Sequence, residues 1–314
     1  MAEYLVTGGA GFIGSSICEE LVARGHSVCA YDDLSTGKLE NLRDIMDRIE
    51  FMSSDVRSAP DLEKAMEGAS YVLHQAAIPS VPRSIEEPLY VNDVNVIGTL
   101  NVLECARKQG VRRVVFASSS SVYGDSETLP KHEGMPCAPK SPYAVTKAVG
   151  EHYCALYGSV YGVPVVSLRY FNIFGPRQDS ASQYSGVISK FASGLLGGET
   201  LTVYGDGHQS RDFTYISNVV EANLSACVSP EAPGRVINIG SGGRITVNDL
   251  VASLAEITGK EPDVEYSAPR PGDVLHSEAD ISAARELLGY EIRTGFKEGL
   301  KKTVEWFMSA GPTG

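Results

Sequence analysis

The sequence predicts an α/β protein: a doubly wound parallel sheet with helices on both faces, followed by a smaller C-terminal lobe. Three observations predict it. Short apolar runs alternate with longer amphipathic ones from residue 4 to about residue 172. The first apolar run ends in TGGAGFIG (7–14), a glycine-rich turn directly before a helical pattern. Beyond residue 172 the alternation loosens into loops and short elements, with Pro and Gly punctuation at 230–234 and 269–272. Strands separated by helices of this length imply right-handed crossovers, hence parallel pairing and a sheet covered on both faces. The expected division is 1–172 as a nucleotide-binding core and 173–314 as mainly a second lobe, some segments of which return to the core.

The elements follow in order. YLVTG (4–8) reads as a strand and FIGSSICEELVARG (12–25) as a helix closed by Gly25. SVCAYDD (27–33) and IEFMSSD (49–55) read as strands, and DLEKAMEG (61–68) as a helix. SYVLHQAA (70–77) is a further strand and VNVIGTLNVLECARKQG (94–110) a helix ending at Gly110. RRVVFASSSSVYG (112–124) is a strand running into a serine-rich loop. SPYAVTKAVGEHYCALYGSVYG (141–162) is a long helix that Ser141 caps and Pro142 opens, since the first turn needs no amide donor from Pro. VPVVSLRYFN (163–172) is the next strand.

Composition narrows the chemistry. The chain has 314 residues, 43% of them hydrophobic, enough for a sizeable core. A formal net charge of −12 disfavours nucleic acid and anionic membrane, so an anionic ligand would need its own local arginines. The six cysteines (18, 29, 105, 137, 154 and 227) are scattered without a Cys-x-x-Cys pair, which reads as free thiols in a reducing compartment and no metal site. MAEYLVTGGAGFIG does not have the make-up of a signal peptide, and no apolar run reaches the roughly 18 residues of a membrane span. A soluble, cytoplasmic protein is expected.

Gly8, Gly11 and Gly14 stand at spacings of three between the first strand and the first helix. Glycines there let the backbone approach a pyrophosphate at the positive end of the helix. Alone they describe only a tight turn; the strand before, the helix after and an acid at the end of the second strand make a dinucleotide site. Asp32, 18 residues beyond Gly14, is placed for the adenosine ribose hydroxyls, and its charge favours NAD over NADP. Asp55, after the third strand, is placed to meet the adenine, with a plain loop acid as the alternative. Tyr143 and Lys147 lie four residues apart and so share a helical face.

With TGGAGFIG, SSSSVYG and YAVTK in hand, the chain resembles the extended short-chain dehydrogenase/reductases, and more closely the UDP-sugar 4-epimerases, including the UDP-N-acetylglucosamine branch. The resemblance covers essentially the whole chain and includes LRYFNIFGPRQ, YGDGHQSRDFTYI and RPGDVLHSEAD. It implies a Rossmann-type NAD-binding domain and a catalytic triad of Ser119, Tyr143 and Lys147. Tyr143 would take the proton of the sugar 4-hydroxyl, with Lys147 and the nicotinamide charge favouring phenolate. Lys147 would also bind the nicotinamide ribose, and Ser119 the reacting oxygen. Further cofactor contacts implied are Phe12, Ile13, Val56, Gln75, Ala76, Ala77, Asn95, Ser118 and Tyr170, with packing the better reading of Ile13 and Ala76.

For the substrate the resemblance implies Asn172, Arg211 and Arg270 at the diphosphate, Tyr204 on the uracil and Asp273 on the uridine ribose; a surface ion pair is the alternative for each arginine. Ser120 and Ser277 would line the sugar pocket. Ser277 stands where a small residue leaves room for a C2 acetamido group, so UDP-N-acetylhexosamines are expected alongside UDP-glucose and UDP-galactose. A strand-end hydroxyl without substrate contact is the other reading of Ser277. The serine-rich loop lacks the acid that sister dehydratases and decarboxylases carry. Asn172 in place of threonine counts against a UDP-glucuronate 4-epimerase, and the intact triad against a non-catalytic NAD-binding protein. The family also implies a homodimer, built by pairing helices 94–110 and 142–162 into a four-helix bundle.

Overall fold

The computed structural model describes residues 2–179, 186–269 and 275–310. In the first half, strands β1 (Tyr4–Thr7), β2 (Val28–Asp32), β3 (Glu50–Ser53), β4 (Tyr71–His74), β5 (Arg113–Ser119) and β6 (Val165–Tyr170) alternate with helices. These helices are α1 (Phe12–Ala23), α2 (Ala59–Ala65), α3 (Val81–Glu86), α4 (Pro88–Asn92), α5 (Gly98–Gln109) and α6 (Pro142–Tyr161). The second half adds β7 (Ile173–Phe174), α7 (Val187–Gly197), β8 (Leu201–Tyr204), β9 (Ser210–Arg211), β10 (Thr214–Tyr215) and α8 (Ile216–Val228). It ends with β11 (Val236–Ile239), β12 (Ile245–Thr246), α9 (Val247–Thr258), β13 (Val264–Ser267), α10 (Ser282–Leu288) and α11 (Phe296–Ala310).

Seven strands form one sheet in the order β11-β6-β5-β4-β1-β2-β3, every pairing parallel. This is the doubly wound α/β architecture expected from the alternation. Strands β1, β2, β5 and β6 are buried almost throughout, as a sheet covered on both faces requires. One core packs Ile17 and Leu21 of α1 with Val219 and Ala222 of α8; the other packs Leu62, Val102, Leu103 and Tyr157 on the opposite face. The chain leaves β1 toward β2 and β3, then returns to β4 on the other side of β1. Loops at the carboxyl ends of β1 and β4 therefore diverge and open a crevice, the position where such sheets bind ligands.

Boundaries differ from the sequence reading chiefly around residues 81–109. The helix expected over 94–110 is part of a longer run, in which α3 and α4 precede a π turn at Asp93–Ile97 and then α5. Pro82 and Pro88 break the periodic pattern there, yet each sits in a first helical turn, where Pro is accepted. α6 matches closely: the Ser141 side chain accepts a hydrogen bond from Ala144 N (3.2 Å), Pro142 opens the helix and Gly162 closes it in the left-handed region. All six cysteines are free thiols; five are buried and Cys137 is exposed.

Candidate active site

At the end of β1 the chain turns through Gly8, at φ +67°, into α1, whose N-cap is Gly11. The turn is compact, with Gly11 N donating to Gly8 O (3.0 Å) and Ser15 N to Gly11 O (2.9 Å). A Cβ on Gly8 would lie 2.7 Å from Ala76 N, and one on Gly14 only 2.0 Å from Gly8 O, so both positions demand glycine. The first turn of α1 holds no acidic side chain, leaving its amide donors to the crevice. Asp32, at the end of β2, is 7% exposed and accepts hydrogen bonds from Ala10 N (2.9 Å) and Leu34 N (2.8 Å). Burial pushes its carboxyl above the usual range, and these amide donors offset part of the rise. A glycine cradle at a helix N-terminus, with a carboxylate one strand away, fits a dinucleotide.

Gly8, Gly11, Phe12, Ile13, Gly14 and Asp32 line one large cleft together with Val56 and the Gln75–Ala76–Ala77 segment. The same cleft is lined by Ser118, Ser119, Ser120, Tyr143, Tyr170, Asn172, Arg211 and Ser277. Tyr204 lines an adjoining pocket that Asn172 and Arg211 share. Three positions lie elsewhere. Asp55 is clamped on Arg57 (2.6 Å), which also reaches Asp93 (2.9 Å). Asn95, 3% exposed in the π turn, has its amide taken up by Ile78 N (2.8 Å), Ile78 O (3.3 Å) and Thr146 Oγ1 (3.0 Å). Lys147 lies beneath the cleft wall. Arg270 and Asp273 fall outside the described residues.

Tyr143 and Lys147 stand one turn apart near the start of α6, and Ser119 ends β5. Lys147 is 4% exposed; its Nζ donates to Ala117 O (2.8 Å) and lies 5.9 Å from the centre of the Tyr143 ring. Burial pulls its ammonium down to about 8, partly countered by Cys154 and Glu151. Burial pushes the Tyr143 phenol upward, against a smaller opposing effect from its hydrogen bond with Ser119. The downward pull expected from Lys147 therefore does not outweigh burial within the polypeptide alone.

The second half contributes Asn172, held at φ +28°, whose Nδ2 donates to Ser277 Oγ (3.0 Å) and Asp212 O (3.2 Å). Ser277 is 8% exposed, and its backbone N donates to Ser210 O (3.0 Å). Arg211 Nη1 donates to Ser210 O and Leu275 O, both at 3.1 Å. Some cofactor-side groups are already engaged: the Ser118 hydroxyl donates to Glu151 (2.5 Å), and the Tyr170 hydroxyl lies within hydrogen-bond distance of Asn223 (2.9 Å) and Gln75 (3.2 Å). Sequence reasoning missed Glu151, although the spacing Tyr143, Lys147, Glu151 extends the same helical stripe. It also missed Asp212, whose partners are remote in sequence. Among the described residues no group of His, Cys, Asp or Glu is arranged to hold a metal ion, and no helix is long and apolar enough to cross a membrane.

Known proteins resemble the chain throughout. The NAD dependent epimerase/dehydratase family matches residues 4–240. A UDP-glucose 4-epimerase of Mycolicibacterium smegmatis is 39% identical over 308 residues, covering 96% of this chain and 97% of the relative. The structure of a Thermotoga maritima UDP-glucose 4-epimerase with UDP-glucose superposes with a TM-score of 0.94 at 38% identity, covering 98% of this chain and 99% of the other. The UDP-N-acetylglucosamine 4-epimerase of Methanobrevibacter ruminantium M1, in complex with UDP-N-acetylmuramic acid, reaches the same TM-score at 40% identity over 99% of each chain.

Proposed function

The chain belongs to the NAD-dependent epimerase/dehydratase family, and we propose that it inverts C4 of UDP-hexoses with NAD as its resident cofactor. The observation that carries this reading is that Tyr143 and Ser119 open onto the cleft that holds the glycine cradle, with Lys147 one helical turn below. NAD would be held by the α1 N-terminus, the glycine loop and Asp32, and when bound it supplies a reversible hydride acceptor. Ser119 hydrogen-bonds the sugar O4 and holds it against Tyr143. The phenolate of Tyr143 takes the O4 proton as C4 loses its hydride, giving a 4-keto sugar. Tyr143 returns the proton when hydride is restored to the other face of C4. Because burial pushes the phenol up, the nearby positive charges must bring it within range, and Lys147 supplies one of them.

Asn172, Tyr204 and Arg211 would hold the UDP half, together with Arg270 and Asp273. Ser277 supports a finer reading: a small residue bonded to Asn172 at the cleft wall leaves space beside the sugar, so UDP-N-acetylhexosamines should be accepted as well as UDP-glucose. Exposed apolar side chains on α6, among them Leu156 (46%), Val160 (62%) and Tyr161 (52%), support pairing of two copies through α5 and α6. Incubation with UDP-GlcNAc, then separation of the nucleotide sugars, should yield UDP-GalNAc; failure to form a 4-epimer from any UDP-hexose overturns the proposal. Ser277→Tyr should lose turnover of UDP-GlcNAc while keeping that of UDP-glucose, and retention of both would discard the assignment of the pocket.

A further inference from the structure

Helix α6 carries Tyr143, Lys147 and Glu151 at successive spacings of four, one stripe along its length. Glu151 is 7% exposed and engages two strands. Its Oε1 accepts from Ser118 Oγ (2.5 Å) and Arg169 Nε (2.8 Å), and its Oε2 from Arg169 Nη2 (2.7 Å). Ser118 directly precedes Ser119 on β5. Arg169, on β6, is itself 4% exposed and sits over the Tyr123 ring at 4.6 Å. One carboxylate thus joins the helix bearing Tyr143 and Lys147 to the strand end bearing Ser119. Burying such a pair gives little net stability over an apolar replacement, so its placement calls for another explanation.

The charges facing Lys147 supply it. On its own helix these are Glu151 and the Cys154 thiol; from β5 come the Ala117 carbonyl and the Phe116 ring, 5.1 Å away, and from β4 His74. Burial pushes the Cys154 thiol up to about 12, leaving it uncharged at neutral pH. Burial, with Lys147 beside it, pulls His74 down to about 3, leaving it neutral between Thr7 Oγ1 (2.7 Å) and Thr99 Oγ1 (3.0 Å). From β6, Arg169 stands behind Glu151 and tempers its field. Among these described groups Glu151 is the anion.

We propose that Glu151 is a positioning residue of the active site: it sets the strand end of Ser119 against α6 and sustains the ammonium form of Lys147. The inference rests on the reading of Ser119, Tyr143 and Lys147 as catalytic. Glu151→Gln removes the charge and keeps a similar shape. In the profile of kcat/KM against pH its alkaline limb should move to lower pH by about one unit, with kcat near pH 8 reduced about tenfold and KM little changed. Ser118→Ala, which cuts the tie to β5 and leaves the charge, should lower kcat without moving the limb. Glu151→Gln with Arg169→Met removes both charges; it should recover melting temperature lost by the single variant while the limb stays below that of wild type. A limb in its wild-type position in both Glu151 variants, or a loss confined to KM, overturns the inference. A second readout needs no turnover. The Lys147 side-chain amine, followed by NMR with Lys147→Met as blank, should titrate at lower pH in Glu151→Gln, because the carboxylate that favours its ammonium form is gone. A wild type that inverts no UDP-hexose would overturn the functional reading, while an unmoved Lys147 titration would overturn the role of Glu151.

Discussion

Two aspartates, one bordering the cleft and one enclosed in the second half of the chain, divide the molecule by what their neighbours leave them free to do. Asp32 and Asp212 are both buried, and in both burial pushes the carboxyl up while backbone amides offset part of the rise. Asp212 is 0% exposed and enclosed: Ser241 N (2.6 Å), Ser241 Oγ (2.7 Å), Gly242 N (3.1 Å) and Ala279 N (3.0 Å) all donate to it. Asp32 takes two amides and still borders the cleft. The direction of the titration shift is the same at both sites. It is access to the cleft that separates a carboxylate able to meet a ligand from one that fastens loops together.

The largest expected effect tests the enclosed member. Asp212→Ala would leave three backbone amides and the Ser241 hydroxyl without their acceptor at once and should cost about 3–5 kcal/mol of stability, read from the midpoint of denaturant unfolding. A variant with the wild-type midpoint would erase the distinction. Asp32→Ala should lower NAD affinity about tenfold to a hundredfold, with a smaller loss of stability of about 1 kcal/mol, measured by calorimetric titration and by unfolding of the cofactor-free protein. The opposite order of the two effects would reverse the assignment.

The third test carries the division over to a cation. Lys147 has a carbonyl for a partner and is pulled down to about 8, so the native state sheds this proton more readily than the unfolded chain. At neutral pH the ammonium is charged in both states, and the cost of its burial is fully present. That cost is relieved as pH rises from about 8 toward the ordinary lysine value. Lys147→Met should therefore abolish turnover yet stabilise the cofactor-free protein by about 1–3 kcal/mol at pH 7, an advantage that shrinks in alkali. A variant less stable than wild type at pH 7 would show that the ammonium stabilises the fold.

Local chemistry explains what could be read from the chain beforehand. TGGAGFIG, Asp32, the Ser-Pro start of α6 and the Tyr143–Lys147 spacing act over a few residues or one βαβ unit, and each leaves a pattern in that short span. Asp212 is different: its partners stand at 241, 242 and 279, brought together only when the second half folds back. Asn95 came only from the family resemblance, as a cofactor contact, and nothing local showed that its amide is consumed by Ile78 and Thr146, since a π turn decides where it points. Helices α3 and α4 are too short to show a period. Glu151 lay in plain register with Tyr143 and Lys147, and only its partners on β5 and β6 give that register meaning.

The distribution of thiols gives the protein a built-in clock for its own opening. Burial pushes Cys29, Cys154 and Cys227 up to about 12, and Cys18 and Cys105 upward as well, so these sulfurs are both shielded and protonated. They sit on α1, β2, α5, α6 and α8, one strand of the sheet and four of the helices packed on it. An alkylating reagent added to the native protein should tag the exposed Cys137 first, at a rate slowed by the burial that pushes its thiol up, and reach the other five at the rate at which each element comes loose. Mass spectrometry of timed samples would then rank the elements by how readily each opens, without introducing a single foreign probe.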